Sequence, residues 1–169
     1  MESKAKFLGH PIHQMLIVFP LGLLITSVIF DVLHWITGDG KWSDMAYYLI
    51  AAGIVGGLLA AIFGLIDWLA LPDNTRAKQV GALHGVGNVL VIGLFALSWL
   101  LRREAPADPR RLAYVLSFLG MALGGVTAWM GGELVDRLAV GVHRGAHLDA
   151  PNSLSGRPAS ENAHSTIGD

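Results

Sequence analysis

Five side chains in this sequence have the chemistry of cofactor or metal ligands and lie at the ends of long apolar segments. They are His10, His13, Asp67, His84 and Glu133. Imidazole and carboxylate groups bind zinc, iron and copper, and two histidines on facing helices are a common way to hold haem iron. These residue types therefore predict either a haem site or a mixed imidazole–carboxylate metal site.

Four apolar segments must position these groups. They run from about His13 to Ile36, Asp44 to Leu71, Val80 to Leu101 and Leu112 to Met130, and the last continues as helix past Glu133. Each segment is long enough for the ~20 residues that a helix needs to cross a bilayer. Helices are the spanning form expected here, because a backbone in lipid must satisfy its own hydrogen bonds.

The composition agrees with a membrane protein and excludes several other classes. Of 169 residues, 53% are hydrophobic and 15% are charged, with a mean hydropathy of +0.51, whereas soluble domains carry about 25% charged residues. The net charge of −1 offers no large basic patch for a nucleic acid. The absence of cysteine excludes disulfides and thiolate chemistry.

The connections between the segments are short, at Thr37–Ser43, Asp73–Gln79 and Arg102–Arg111. Short connections make neighbouring helices antiparallel, so the sequence predicts an all-α, up-down four-helix membrane bundle over residues 1–142. Residues 143–169 form a polar tail that is predicted to be disordered, with His164 inside it.

Orientation in the membrane follows from the loops. An even number of spans puts both termini on one side. Lys4 and Lys6 precede the first span, while a lone Lys41 beside acidic residues follows it, and this favours cytoplasmic termini. Arg110 and Arg111 before the fourth span favour the opposite orientation.

Antiparallel helices bring the five candidate ligands to one membrane level, and Asn88 lies one turn deeper than His84 on the same face. Ionisable groups inside spans are costly and usually face the bundle interior. At the opposite end, Asp31 and His34 can pair with each other, but the other helices add nothing to a site there. His84 can also donate a hydrogen bond to Asp67 or Glu133 in a purely structural network.

Three readings of the cluster follow. In the first, His13 and His84 are axial ligands of a b-type haem and His10 is a spare ligand or a propionate partner. The haem would be non-covalent, because there is no Cys-x-x-Cys-His motif. In the second, His10, His13 and His84 with Glu133 or Asp67 bind zinc, iron or copper. Both readings imply electron transfer with a membrane redox partner.

The third reading is a metal-free assembly or accessory subunit. Glycines four residues apart, such as Gly53 and Gly57 or Gly120 and Gly124, allow close helix packing or a homo-oligomer. The polar cluster would then be structural. No catalytic residue is assigned, because no serine is expected at the depth of the histidines.

Four stretches carry a family resemblance. GHPIHQMLIVFPLGLL, AAGIVGGLLAAIFGLIDWL, ALHGVGNVLVIGLFALSWLLR and GGELVDRLAVGV resemble the helices of a bacterial predicted-membrane-protein family, domain of unknown function number 2231. The resemblance covers about Leu8 to Val142. It implies a multi-pass, four-helix protein of the bacterial inner membrane, and it implies no activity and no catalytic residue. Here Leu138-Ala139 stands where the family typically has a His-Gly ending.

Overall fold

The computed structural model describes residues 1–163; His164, which the sequence places in the tail, lies outside the described residues. Within residues 1–163, four helical segments are long and apolar enough to cross a membrane. We call them span 1 (Ile12–Thr37), span 2 (Gly40–Leu69), span 3 (Arg76–Arg102) and span 4 (Arg111–Arg137). The predicted all-α four-helix membrane fold is confirmed.

Two spans contain an irregular turn. Span 1 consists of α1 (Ile12–Leu16) and α2 (Val18–Thr37), joined at Ile17. Pro20 follows this joint and has no N–H to continue the helical ladder. Span 4 consists of α5 (Arg111–Gly132) and a π-helical turn at Glu133–Arg137.

Capping residues set the other boundaries. Span 2 is helix α3, and it begins at Gly40 rather than near Asp44 because the Asp39 side chain accepts from the backbone N–H of Lys41 at 3.0 Å. Span 3 is helix α4, and it begins at Arg76 because the Thr75 hydroxyl accepts from the backbone N–H of Lys78 at 3.2 Å. Polar caps therefore extend both helices beyond their apolar segments.

The spans form a bundle in which span 1 packs on span 2 and span 3 on span 4, and the two pairs then pack together. The core between them is formed by Leu24, Val28, Ile50, Val91 and Phe95. Large apolar side chains elsewhere on the spans face outward, as shown by Leu83, Val86 and Val89, which are 61–70% exposed. An apolar surface of this kind requires contact with the lipid bilayer.

A small surface layer covers the bundle end that carries the chain start. Strands β1 (Lys6–Phe7) and β2 (His10–Pro11) pair antiparallel, and the hydroxyl of Ser153 in the short 3₁₀ helix Ser153–Ser155 lies 3.3 Å from Nε2 of His10. Residues 143–163 therefore form turns that contact the start of the chain. Disorder of the tail stays a prediction.

Candidate functional site

The imidazole of His13 is held between spans 1 and 2. Its Nδ1 lies 2.8 Å from the carbonyl oxygen of Ala60. A carbonyl can only accept, so Nδ1 carries a proton, and in the neutral imidazole the lone pair is then on Nε2. Gly64 makes room for the ring, because a methyl group there would lie 2.9 Å from Cε1 and Nδ1 of the imidazole.

His84 is held in the same way between spans 3 and 4. Its Nδ1 donates to the carbonyl oxygen of Thr127 over 2.9 Å, and a methyl group at Gly131 would lie 3.3 Å from Cε1 of the ring. The Asn88 side chain then adds a second contact, because its Nδ2 lies 3.2 Å from Nε2 of His84. Nδ2 of Asn88 also donates to the backbone carbonyl of His84 over 2.8 Å. The Thr127 hydroxyl lies 3.1 Å from Oδ1 of Asn88 and 3.0 Å from the carbonyl oxygen of Gly124, so its single proton is shared between these two acceptors.

The two imidazoles meet across the bundle. The ring centroids of His13 and His84 are 6.4 Å apart and the ring planes are nearly perpendicular, at 86°. The structure thus brings together the two residues that the sequence offered as a ligand pair. Each has a proton on Nδ1 that a backbone carbonyl accepts, which leaves Nε2 as the nitrogen with ligand chemistry.

Asp67 lies apart from this pair and binds the start of the chain. Its Oδ1 accepts from the backbone N–H of Lys4 at 2.7 Å, and the Ser3 hydroxyl lies 2.7 Å from Oδ2. Asp67 therefore holds the segment that precedes span 1. Among residues 1–163, Asp67 has no hydrogen bond to an imidazole.

Glu133 and His10 also have partners of their own. Oε1 of Glu133 lies 2.5 Å from Nη2 of Arg76, which links the end of α5 to the start of α4. His10 is exposed in strand β2, outside the helix that carries His13. The bond from His84 to Asp67 or Glu133 that the sequence suggested is replaced by the bond to Thr127.

Among residues 1–163, no group of three or more His, Asp or Glu side chains is arranged to hold a metal ion. The five predicted ligands are divided between the imidazole pair, an exposed strand, an anchor for the chain start and a surface ion pair. Metal binding by His10, His13 and His84 with Glu133 or Asp67 stays a prediction.

The opposite end of the bundle holds a buried ion pair. Nη1 and Nη2 of Arg102 lie 2.7 and 2.6 Å from the two carboxylate oxygens of Asp31, and both side chains are 0% exposed. Hydroxyls of Ser43, Ser98 and Ser117 accept the remaining donors of the guanidinium. Residues of all four spans therefore meet at Arg102.

Sequence reasoning missed this ion pair. It placed Arg102 in a loop and offered His34 as the partner of Asp31, but Nδ1 of His34 lies 3.1 Å from the carbonyl oxygen of Asp39. The available signal was that an aspartate inside an apolar span requires a cation at its own depth. The rotation of span 3 then decides that Arg102 supplies the cation and that Arg103 does not.

Comparison with known proteins agrees with this architecture. The profile of a family described as a predicted membrane protein, DUF2231, matches residues 9–144. The chain belongs to this family. No curated protein matches the chain, and no solved structure does. The matched range contains all four spans and both polar clusters, so the chain is a multi-pass membrane protein.

Proposed function

We propose that His13 and His84 bind a b-type haem, or failing that a transition-metal ion such as zinc, iron or copper, and that the protein transfers electrons in the bacterial inner membrane. One observation carries the proposal: two imidazoles from different spans meet inside the bundle, and a backbone carbonyl fixes each in the tautomer that leaves Nε2 for a ligand. Metal-binding histidines characteristically donate their other ring N–H in this way.

The separation of the rings supports coordination of one metal centre by both. A metal–nitrogen distance of about 2.0–2.1 Å on each side places the centroids of two imidazoles about 6 Å apart. The observed centroid distance is 6.4 Å. The two separations are therefore similar.

The shortage of further ligands favours haem over a bare ion. His13 and His84 supply two nitrogens, and within residues 1–163 no third carboxylate or imidazole joins them. Bare transition-metal ions usually take four or more ligands, whereas a porphyrin brings four nitrogens and needs only axial ligands from the protein. When bound, a haem would supply one-electron redox chemistry.

The two glycines next to His84 differ in their surroundings. Gly85 is exposed on the outer side of span 3, and a methyl group there would have no other atom within 4 Å. Gly87 has a packing role instead, since a methyl group there would lie 2.6 Å from Cγ2 of Thr127. The proposal therefore rests on the imidazole pair and not on these glycines.

A second candidate is a metal-free assembly or accessory subunit. The observation that favours it is that Asp67, Glu133 and His84 are each hydrogen-bonded or ion-paired within the chain. Hydrogen bonds and ion pairs that hold the fold together would then explain why polar residues occur at these positions. This candidate predicts a protein that folds normally without any cofactor.

The deciding experiment is an absorption spectrum of the detergent-purified protein, oxidised and then reduced with dithionite, with elemental analysis of the same sample. We expect sharp reduced α and Soret bands in the native protein, and their loss in His13→Ala and in His84→Ala. His34→Ala and His164→Ala should keep the bands. Cofactor retention in all four variants would contradict the site. A protein without haem or metal, after expression with both supplied, would favour the accessory subunit.

A further inference from the structure

Spans 1–2 and spans 3–4 are two copies of one helical hairpin. Positions 12–31 of span 1 have their counterparts 71 residues later in span 3, as Asp31 has in Arg102, and the corresponding shift from span 2 to span 4 is 67 residues, as from Gly64 to Gly131. Identical pairs at these shifts include His13/His84, Gly22/Gly93, Ser27/Ser98, Ala46/Ala113, Tyr47/Tyr114, Gly53/Gly120, Gly57/Gly124 and Gly64/Gly131.

The packing repeats together with the sequence. A methyl group at Gly53 would lie 2.6 Å from Cδ2 of Leu24, and one at Gly120 would lie 2.8 Å from Cε2 of Phe95, the counterpart of Leu24. The surroundings of the histidines repeat as well. His13 bonds to the carbonyl of Ala60 and packs against Gly64, and His84 bonds to the carbonyl of the counterpart Thr127 and packs against the counterpart Gly131. The two hairpins therefore share these contacts.

Counterparts touch each other at His13 with His84 and at Asp31 with Arg102. Equivalent positions of two related halves meet only near the axis that relates them. A pseudo-two-fold axis therefore runs along the bundle between the imidazoles at one end and through the ion pair at the other. At the imidazole pair, both halves place a histidine next to this axis, whereas at the ion pair one half places Asp31 there and the other places Arg102.

The polar shell of the two histidines does not repeat. Asn88, which contacts Nε2 of His84, has Ile17 as its counterpart, and Thr127, which holds Asn88, has Ala60. Both nitrogens of the His84 imidazole therefore have a hydrogen-bond partner: the carbonyl of Thr127 at Nδ1 and the amide of Asn88 at Nε2. Among residues 1–163, none donates a hydrogen bond to Nε2 of His13, whose Nδ1 is bonded to Ala60. The two positions that differ between the hairpins therefore give the two imidazoles different hydrogen-bond partners.

We propose that Asn88 is a positioning residue for His84: its side-chain amide donates a hydrogen bond to the Nε2 lone pair until an incoming metal centre displaces it. The proposal rests on the proposed function. Coordination through Nε2 requires that lone pair, so the Asn88 N–H and the metal compete for it. A net hydrogen bond of ordinary strength corresponds to about a 2- to 10-fold change in an equilibrium constant. His13 has no such competitor.

The test compares the native protein with Asn88→Ile, which copies the first hairpin, and with Thr127→Ala, which removes the hydroxyl that supports Asn88 together with the contacts of Thr127 to Gly124 and Gly87. Ile17→Val serves as a matched control. ¹⁵N spectra of histidine-labelled, cofactor-free protein report the hydrogen bond at each Nε2 directly. Haemin titration then measures the binding of a defined probe.

We expect the Nε2 resonance of His84 to move towards that of His13 in Asn88→Ile and part of the way in Thr127→Ala, with His13 unchanged. Haemin should bind Asn88→Ile about 2- to 10-fold more tightly than the native protein. An unshifted His84 resonance, or weaker haemin binding by Asn88→Ile, would overturn the proposal. If no protein binds haemin or metal, the proposed function fails, while the ¹⁵N shift still establishes whether Asn88 holds His84.

Discussion

The two ends of the bundle use polar residues in opposite ways. We call the end with His13 and His84 the histidine end and the end with Asp31 and Arg102 the arginine end. At the arginine end, a guanidinium with 0% exposure is surrounded by acceptors from four spans. At the histidine end, each imidazole is bonded mainly within its own hairpin, and the two meet without a hydrogen bond between them.

This difference separates a structural cluster from a candidate ligand site. A buried arginine and aspartate are tolerated only when almost every donor and acceptor is satisfied, and the arginine end meets that requirement. An imidazole needs fewer partners than a guanidinium, and at the histidine end no residue among 1–163 donates a hydrogen bond to Nε2 of His13. We therefore expect substitutions at the arginine end to change stability, and those at the histidine end to change binding more than stability.

The largest effect is expected from breaking the ion pair. Arg102→Ala leaves the Asp31 carboxylate buried without its cation, and removal of one partner from a buried pair costs about 3–5 kcal/mol. Thermal unfolding in detergent, followed by tryptophan fluorescence, should show a greatly lowered midpoint. The control is Lys41→Ala, which breaks an exposed ion pair with Asp39. Equal midpoints for both variants would remove the distinction between the two ends.

A paired substitution sharpens this prediction. Asp31→Leu combined with Arg102→Met removes both charges and should recover most of the stability lost in Arg102→Ala, since apolar replacement of a buried pair is often near neutral. The same unfolding measurement applies. A double variant no more stable than the single one would mean that the serine hydroxyls, not the charges, dominate the cluster.

Moderate effects are expected where glycines make room for the imidazoles. Gly64→Ala places a methyl group 2.9 Å from the His13 ring, so the ring must shift, whereas the space at Gly85 is open. Overpacking of this kind costs about 1–3 kcal/mol. The His13 ¹⁵N resonances should move in Gly64→Ala and stay unchanged in Gly85→Ala. Unmoved resonances in both variants would show that Gly64 does not position the imidazole.

The surface ion pair at the histidine end should contribute little. Arg76→Gln removes the partner of Glu133, but the Arg76 side chain is 59% exposed. Exposed pairs of this kind contribute about 0.2–1 kcal/mol. We expect an unfolding midpoint close to that of the native protein and unchanged cofactor binding. A loss of cofactor in this variant would instead place Glu133 in the site.

The smallest effect concerns pH at the start of the chain. The hydrogen bond from Lys6, with that from the backbone of Arg144, lowers the pKa of Glu2 from 4.5 to about 2. Because the folded-state pKa is the lower one, this contribution is complete above pH 4.5 and is lost as the pH falls towards 2. The protection factor of the Arg144 backbone amide against hydrogen exchange, which corrects for the intrinsic pH dependence of exchange, should fall over that range. Glu2→Gln should abolish the pH dependence, and its persistence would exclude Glu2 as the cause.

Most of the fold could be predicted from local features of the sequence. The four spans follow from apolar length, and their antiparallel order follows from the short loops. The His13 and His84 pair was also predictable, because both stand near span ends that antiparallel packing brings to one level. Strands β1 and β2 were missed, because pairs of two residues leave no period to detect.

The sequence by itself determined how many times the chain crosses the membrane and at what depth each polar group lies, because contiguous apolar length and helical rise set both. Only the tertiary structure decided which groups meet. Asp31 binds Arg102, 71 residues away, and His84 binds Thr127, 43 residues away, rather than Asp67 or Glu133. The physical reason is rotation: packing at the glycine contacts fixes how each helix turns about its axis, and hydropathy does not specify that angle.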